Sequence, residues 1–180
     1  MDVQVIDFGC IRELNLFLKN LIQDNGFSQV ETLVIARDAE TSVNSAITSI
    51  QNSLQDIGLE LPVPTRPFEW QPNSSIKVAF MLFPGIDGTG QCQTGTLENL
   101  CLKTVTTDPL LKCVKDFVQC AQENQQNNDR ISHPWKSELY AYLAGKDDHA
   151  GKRLSQAAKD RVFPWDHSAM EPFKRIIQAM

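Results

Sequence analysis

The residues best suited to chemistry in this 180-residue chain are Asp38 and Glu40, one residue apart after the apolar run Leu33-Val34-Ile35-Ala36. Two carboxylates so spaced offer hard oxygen donors, which suit Mg²⁺ or Mn²⁺, ions that keep several of their waters. The stretch has an ordinary use as well. Asp38, Thr41 or Ser42 could cap the helix that follows, with Glu40 favouring its positive end. Both uses stay open at the level of sequence. Further on, Asp87 lies in a Gly-rich stretch after another apolar run, Glu98 opens a helix after Thr96, and Lys136 follows His133-Pro134-Trp135. Taken alone, Glu98 complements a helix dipole. Lys136 reads as a solvated lysine at a helix start unless the fold aims it at the acidic edge.

The elements that must position these groups follow from periodicity. The run 33–36 reads as a strand covered on both faces, parallel and central. In an open α/β sheet, ligands collect beyond the carboxyl ends of such strands. Ahead of it, Val3, Val5 and Ile6 read as a short strand closed by Asp7-Phe8-Gly9. Ile11, Leu14, Phe17, Leu18, Leu21 and Ile22 then repeat at three and four, a helix stopped by Asn25-Gly26. After the acidic turn, Val43, Ala46, Ile47, Ile50, Leu54 and Ile57 give a second amphipathic helix. Strand–helix–strand–helix order predicts right-handed crossovers and a parallel sheet.

Residues 61–75 hold Pro62, Pro64, Pro67 and Pro72 among polar residues and read as a loop before the core strand 76–83. The segment from Pro84 to Gly95 lacks both the Walker spacing and the dinucleotide glycine order. It reads as a mobile connection that leaves Asp87 near the carboxyl edge. Thr96 is the expected N-cap of the next helix. Asp108-Pro109 starts another, carrying Leu110, Leu111, Val114, Phe117 and Val118. Cys113 and Cys120, two turns apart on it, read as core rather than redox-active. Residues 122–132 are polar and aperiodic and read as a surface loop. A helix with Leu139, Tyr140 and Leu143 comes next. Trp165 and His167 read as packing and turn residues, and Ser168 and Glu171 have capping-box spacing before a terminal helix.

Composition bounds the function. The chain is 42% apolar and 22% charged, as an ordinary globular protein is, and one domain spanning 1–180 is the simplest count. A net charge of −5 and a pI near 5.2 argue against a broad nucleic-acid footprint, though not against a phosphate contact made through a metal. The five cysteines show no C-x-x-C spacing and the three histidines are scattered, which disfavours a structural zinc site. With neither a signal peptide nor a membrane-length apolar run, the expectation is a cytoplasmic protein with reduced thiols and no membrane contact.

Several segments carry a resemblance. They are Val-Ile-Ala-Arg-Asp-Ala-Glu, Leu-Phe-Pro followed by Asp87 and Gly-Thr-Leu-Glu-Asn-Leu, then Lys-Ser-Glu-Leu-Tyr-Ala-Tyr-Leu-Ala, and Phe-Pro-Trp-Asp-His. In this order they resemble a little-characterised bacterial and cyanobacterial family of Toprim-like proteins, similar to the Toprim domain of the OLD-family nucleases. The resemblance implies an α/β fold: a three-layer Toprim-like, Rossmann-like sheet, mostly parallel, with helices on both faces and extra C-terminal helices. It implies that Asp38 and Glu40 match the acidic pair that holds Mg²⁺, and that Thr96-Leu97-Glu98 is the counterpart of a Ser-x-Glu in the OLD-like branch. Lys136 is then the candidate for the lysine implicated in phosphodiester cleavage, and Asp87 a further metal ligand. Toprim domains open with a strand ending in Glu, and no such strand precedes Met1. A domain shortened at its N-terminus is therefore expected, with metal binding weak or absent, activity reduced or lost, and a strand edge open to a homodimer. The rival expectation is a non-catalytic, self-associating or protein-interaction module.

Overall fold

The computed structural model describes residues 3–73, 75–126 and 130–180. They form a mixed α/β structure with a small three-stranded, mostly parallel sheet. In chain order the elements are α1 (Leu14–Leu21), β1 (Thr32–Asp38), α2 (Val43–Gln55), β2 (Gln71–Pro72), β3 (Lys77–Phe83), α3 (Leu97–Lys103), α4 (Leu110–Asn124), α5 (Pro134–Ala144), α6 (Leu154–Lys159) and α7 (Glu171–Gln178). The chain divides into two compact units, Met1–Leu82 with Phe173–Met180, and Phe83–Pro172. No helix among the described residues is long and apolar enough to cross a membrane.

The first unit holds the sheet, apart from the last residue of β3. The strand order is β1-β3-β2, and β2 pairs antiparallel with β3, Gln71 opposite Val78. Strand residues alternate between faces. Val78, Phe80 and Leu82 share one face of β3 and enter a core with Leu14 and Leu18 of α1 and Ala46, Ile50 and Leu54 of α2. Ala79 and Met81, on the other face, are buried too. The run covered on both sides is thus β3. β1, expected at the centre, lies at the edge of the described sheet, and its Ala36 is exposed. An unbroken apolar run reports burial, not strand order. α7 contributes Phe173, whose ring meets Phe68 edge-on at 5.1 Å.

The strand expected at Val3–Ile6 is absent: residues 3–9 have no regular structure, and Val5 is 91% exposed. Alternating apolar residues become a strand only against a partner strand. The second unit is helical. Cys101 and Leu102 of α3, Leu111 and Val114 of α4, Leu139, Tyr142 and Leu143 of α5, Ala157 of α6, and Phe163 build its core. α4 runs to Asn124, so the expected polar loop begins later than residue 122, and its residues 127–129 lie outside the described residues. Ahead of α7, Ser168–Met170 form a short 3-10 turn capped by His167, whose Nδ1 accepts the Ala169 N–H at 3.1 Å.

Candidate functional site

The acidic end of β1 is built by a tight turn into α2. Ser42 has extended backbone, and its hydroxyl accepts the Ser45 N–H at 3.2 Å. Of the three residues that could cap α2, Ser42 does so. The turn is closed by the Ser42 N–H donating to the Ala39 carbonyl at 3.2 Å, and the Ala39 side chain is buried. Glu40 between them has φ +54, and its side chain is exposed. A side chain in the left-handed region costs about 1–2 kcal/mol, and such residues cluster where geometry serves a site. Arg37 precedes the pair. Its Nε donates to the Asp38 carbonyl at 3.1 Å, while its Nη1 is buried without a hydrogen-bond partner. Burial lowers the guanidinium's pKa, and the Glu40 and Asp38 carboxylates act in the opposite direction. One arginine and two carboxylates therefore share the carboxyl end of β1.

The other candidates stand in the second unit. Asp87 organises the loop after β3. Its Oδ1 accepts the Thr89 N–H at 2.8 Å, the Thr89 hydroxyl at 2.6 Å and the Gln91 N–H at 3.0 Å. These bonds, the Thr89 hydroxyl first, hold its carboxyl below the usual range. The loop is closed further by an antiparallel bridge between Ile86 and Cys92. Burial, and then Asp87, push the Cys92 thiol up. The expectation of a loosely held connection gives way here to an ordered one. Gly95 shows why its glycines matter: at φ +130, a Cβ would lie 2.6 Å from Asn99 Oδ1. That oxygen is needed, because it accepts the Thr96 N–H at 2.9 Å and starts α3.

Glu98 sits in the first turn of α3, half-buried. After burial itself, it is the second cause that raises the Cys101 thiol to about 12. Lys136 is exposed in the first turn of α5, after Pro134 at the helix start. α3 and α5 pack against each other, so Glu98 and Lys136 occupy the leading turns of neighbouring helices. Asp38 and Glu40 belong to the first unit and Asp87, Glu98 and Lys136 to the second. Among the described residues no three His, Cys, Asp or Glu side chains form a group that could hold a metal.

Sequence reasoning missed one polar cluster. Asp108 Oδ2 accepts the Tyr142 hydroxyl at 2.8 Å and the Lys146 ammonium at 2.9 Å, and its Oδ1 accepts the Leu110 N–H at 2.9 Å. The Lys146 ammonium also lies 4.9 Å from the centre of the Tyr142 ring. One carboxylate thus starts α4 and ties it to the end of α5. Asp108-Pro109 signalled the helix start, but nothing local signalled partners 34 and 38 residues away. The Lys146 and Tyr142 hydrogen bonds lower the Asp108 carboxyl to about 2. A depressed carboxyl pKa gives stability that is present above the unfolded value, near 3.9, and lost as pH falls through the folded one. Asp108→Asn is therefore expected to melt below the wild type at neutral pH, the gap closing between about pH 4 and pH 2. Melting curves across that range check it. A gap independent of pH would remove the carboxylate's charge from the account.

Residues 2–180 of the chain match the model of the family DUF3226, described as a protein of unknown function. No curated protein and no solved structure matches it.

Proposed function

We propose that this chain, which belongs to the DUF3226 family, is a Mg²⁺- or Mn²⁺-binding Toprim-like domain, related to OLD-family nucleases and acting on a phosphodiester of nucleic acid. The observation that carries the reading is the carboxyl end of β1. There Ser42 has taken over the capping of α2, and Glu40 is kept in a left-handed conformation with its carboxylate in solvent. The N-cap position is thus not what calls for an acid at Asp38. The donor set of the pair, two carboxylates with no thiol or imidazole between them, fits a hard divalent ion.

On this reading Asp38 and Glu40 hold the ion, while Glu98 stays in the first turn of α3 in the second unit. When bound, the ion supplies Lewis acidity and neutralises phosphate charge. Arg37, beside the pair, sets one positive charge against their two negative ones. Lys136 offers an exposed ammonium to a phosphate oxygen and to the charge that develops as the ester bond breaks. Asp87 has a narrower part than a ligand's. One of its oxygens is committed to Thr89 and Gln91, and it shapes the loop leading into α3.

Metal binding is read most directly from stability. An ion that binds only the folded chain with a dissociation constant of about 1 mM adds about 1.4 kcal/mol at about 10 mM. For a chain of this length that raises the melting temperature by about 3–6 °C. Mg²⁺ and Mn²⁺ are expected to produce that rise, Ca²⁺ at equal ionic strength less of it, and Asp38→Ala none. A wild-type melting temperature that ignores both ions at about 10 mM would end the proposal. The second reading, a self-associating module without catalysis, draws support from an exposed apolar stripe on α4, where Phe117 is 64% exposed.

A further inference from the structure

We infer that the outward face of α4 is a self-association surface whose occupant is a second copy of this chain, laid antiparallel across it. Around this helix run two apolar stripes, roughly 125° apart at 3.6 residues per turn. Leu111, Val114 and Val118 make one, and all three are buried. Cys113, Phe117 and Cys120, spaced four and three, make the other. Phe117 is 64% exposed and both thiols are exposed free cysteines. This overturns the expectation that Cys113 and Cys120 are core. Their spacing marks a helix face correctly, but the neighbouring helices cover the other one. An outward helix face is ordinarily polar.

The charges beside the stripe favour a copy over any other occupant. Helix dipoles favour acids in the first turn and bases in the last. α4 has no acidic residue in its first turn and no basic residue in its last. Lys112 and Lys115 lie toward its N-terminus and Glu123 at its C-terminus, the reverse of what a lone helix prefers. Lys112 finds partial relief from Asp116 at 2.7 Å, an exposed pair. An antiparallel copy corrects both ends together. It brings the Glu123 end of one helix beside the Lys112 end of the other and sets the two dipoles head to tail. A two-fold axis crossing α4 between Asp116 and Phe117 then places the two Phe117 rings beside the axis and each Cys113 opposite Cys120 of the second copy. A C2 contact of this kind is self-complementary by construction. An acidic partner would leave Glu123 opposed to like charge, and a basic one would do the same to Lys112 and Lys115.

The test is sedimentation of the full chain from about 5 to about 200 µM, the range in which a single pair of helices associates. A concentration-dependent dimer is expected. Phe117→Glu, at an exposed position, should keep the helical circular dichroism and raise the dissociation constant at least about tenfold. Lys112→Glu should weaken the dimer, and Lys112→Glu combined with Glu123→Lys should restore it. In a Cys10→Ser background a short bismaleimide should join two chains, and either Cys113→Ser or Cys120→Ser should abolish the product while leaving the dimer intact. A chain monomeric at every concentration overturns the inference. So does a dimer indifferent to Phe117→Glu, a charge swap that fails to restore association, or cross-linking that survives both serine variants.

Discussion

Asp38→Ala is expected to reduce Mn²⁺-dependent nicking of a supercoiled plasmid by about 100-fold or more, equivalent to about 3 kcal/mol of transition-state stabilisation. The size follows from charge. Asp38 and Glu40 are the two acidic residues at the end of β1, and Arg37 already sets one positive charge beside them. Losing one carboxylate leaves a locally neutral pair, which has little attraction for a divalent ion that must shed water to bind. Lys136→Ala should slow the chemistry while leaving the Mg²⁺-induced rise in melting temperature unchanged, because an exposed lysine at the start of α5 acts on the phosphate and not on the ion. Lys136→Arg should recover part of the rate, since charge is what the step uses. The assay is conversion of supercoiled to open-circular plasmid, with Mn²⁺ and with chelator. If the wild type leaves the plasmid intact in Mn²⁺ while the ions still raise its melting temperature, the chain binds metal without cleaving. Nicking by Asp38→Ala at the wild-type rate would remove the acidic pair from the mechanism.

How far this site could be read from residues alone differs from group to group. The acidic pair, the strand before it and the helix after it were legible, because each rests on local period and spacing. The choice of cap was not. Asp38, Thr41 and Ser42 are chemically equivalent candidates, and the backbone of the turn decides among them in favour of Ser42. Nor was the left-handed Glu40, whose φ of +54 belongs to a turn that glycine or asparagine would fill more easily. The placement of β1 at the sheet edge and the loss of a strand at Val3–Ile6 share one cause. Period reports which side chains want burial, while strand order depends on partners distant in sequence. α4 gives the clearest case. Its sequence holds two apolar stripes of correct spacing, and only tertiary packing, above all against α5, selects the one with Leu111, Val114 and Val118 for burial. The Asp108 cluster lay beyond reach for the same reason, since its partners stand near the end of α5 and just past it.

Phe80→Ala should destabilise the chain by about 3–5 kcal/mol, the usual cost of emptying a buried phenylalanine site. The loss in melting temperature is then about 6–20 °C for a chain of this length. Phe80 is fully buried on β3, the central strand of the sheet, between Val78 and Leu82, in one core with residues of α1, β1 and α2. Its carbonyl also accepts the Phe68 N–H at 2.8 Å, which ties the proline-rich connection to the strand. A β-strand flanked on both sides cannot close over such a gap without breaking its ladder, so the cavity term should survive nearly whole. Phe117→Ala is the matched comparison, the same deletion at a site 64% exposed. It should cost the folded monomer less than about 0.5 kcal/mol, the scale of ordinary surface substitutions. The two phenylalanines thus separate the forces at work on this chain: Phe80 reports burial within the fold, and Phe117 reports burial against a second copy. Equal losses at the two positions, measured by chemical denaturation of the monomer at low concentration, would show that Phe117 is already covered within one chain. The outward stripe of α4 would then have no vacancy for a partner to fill.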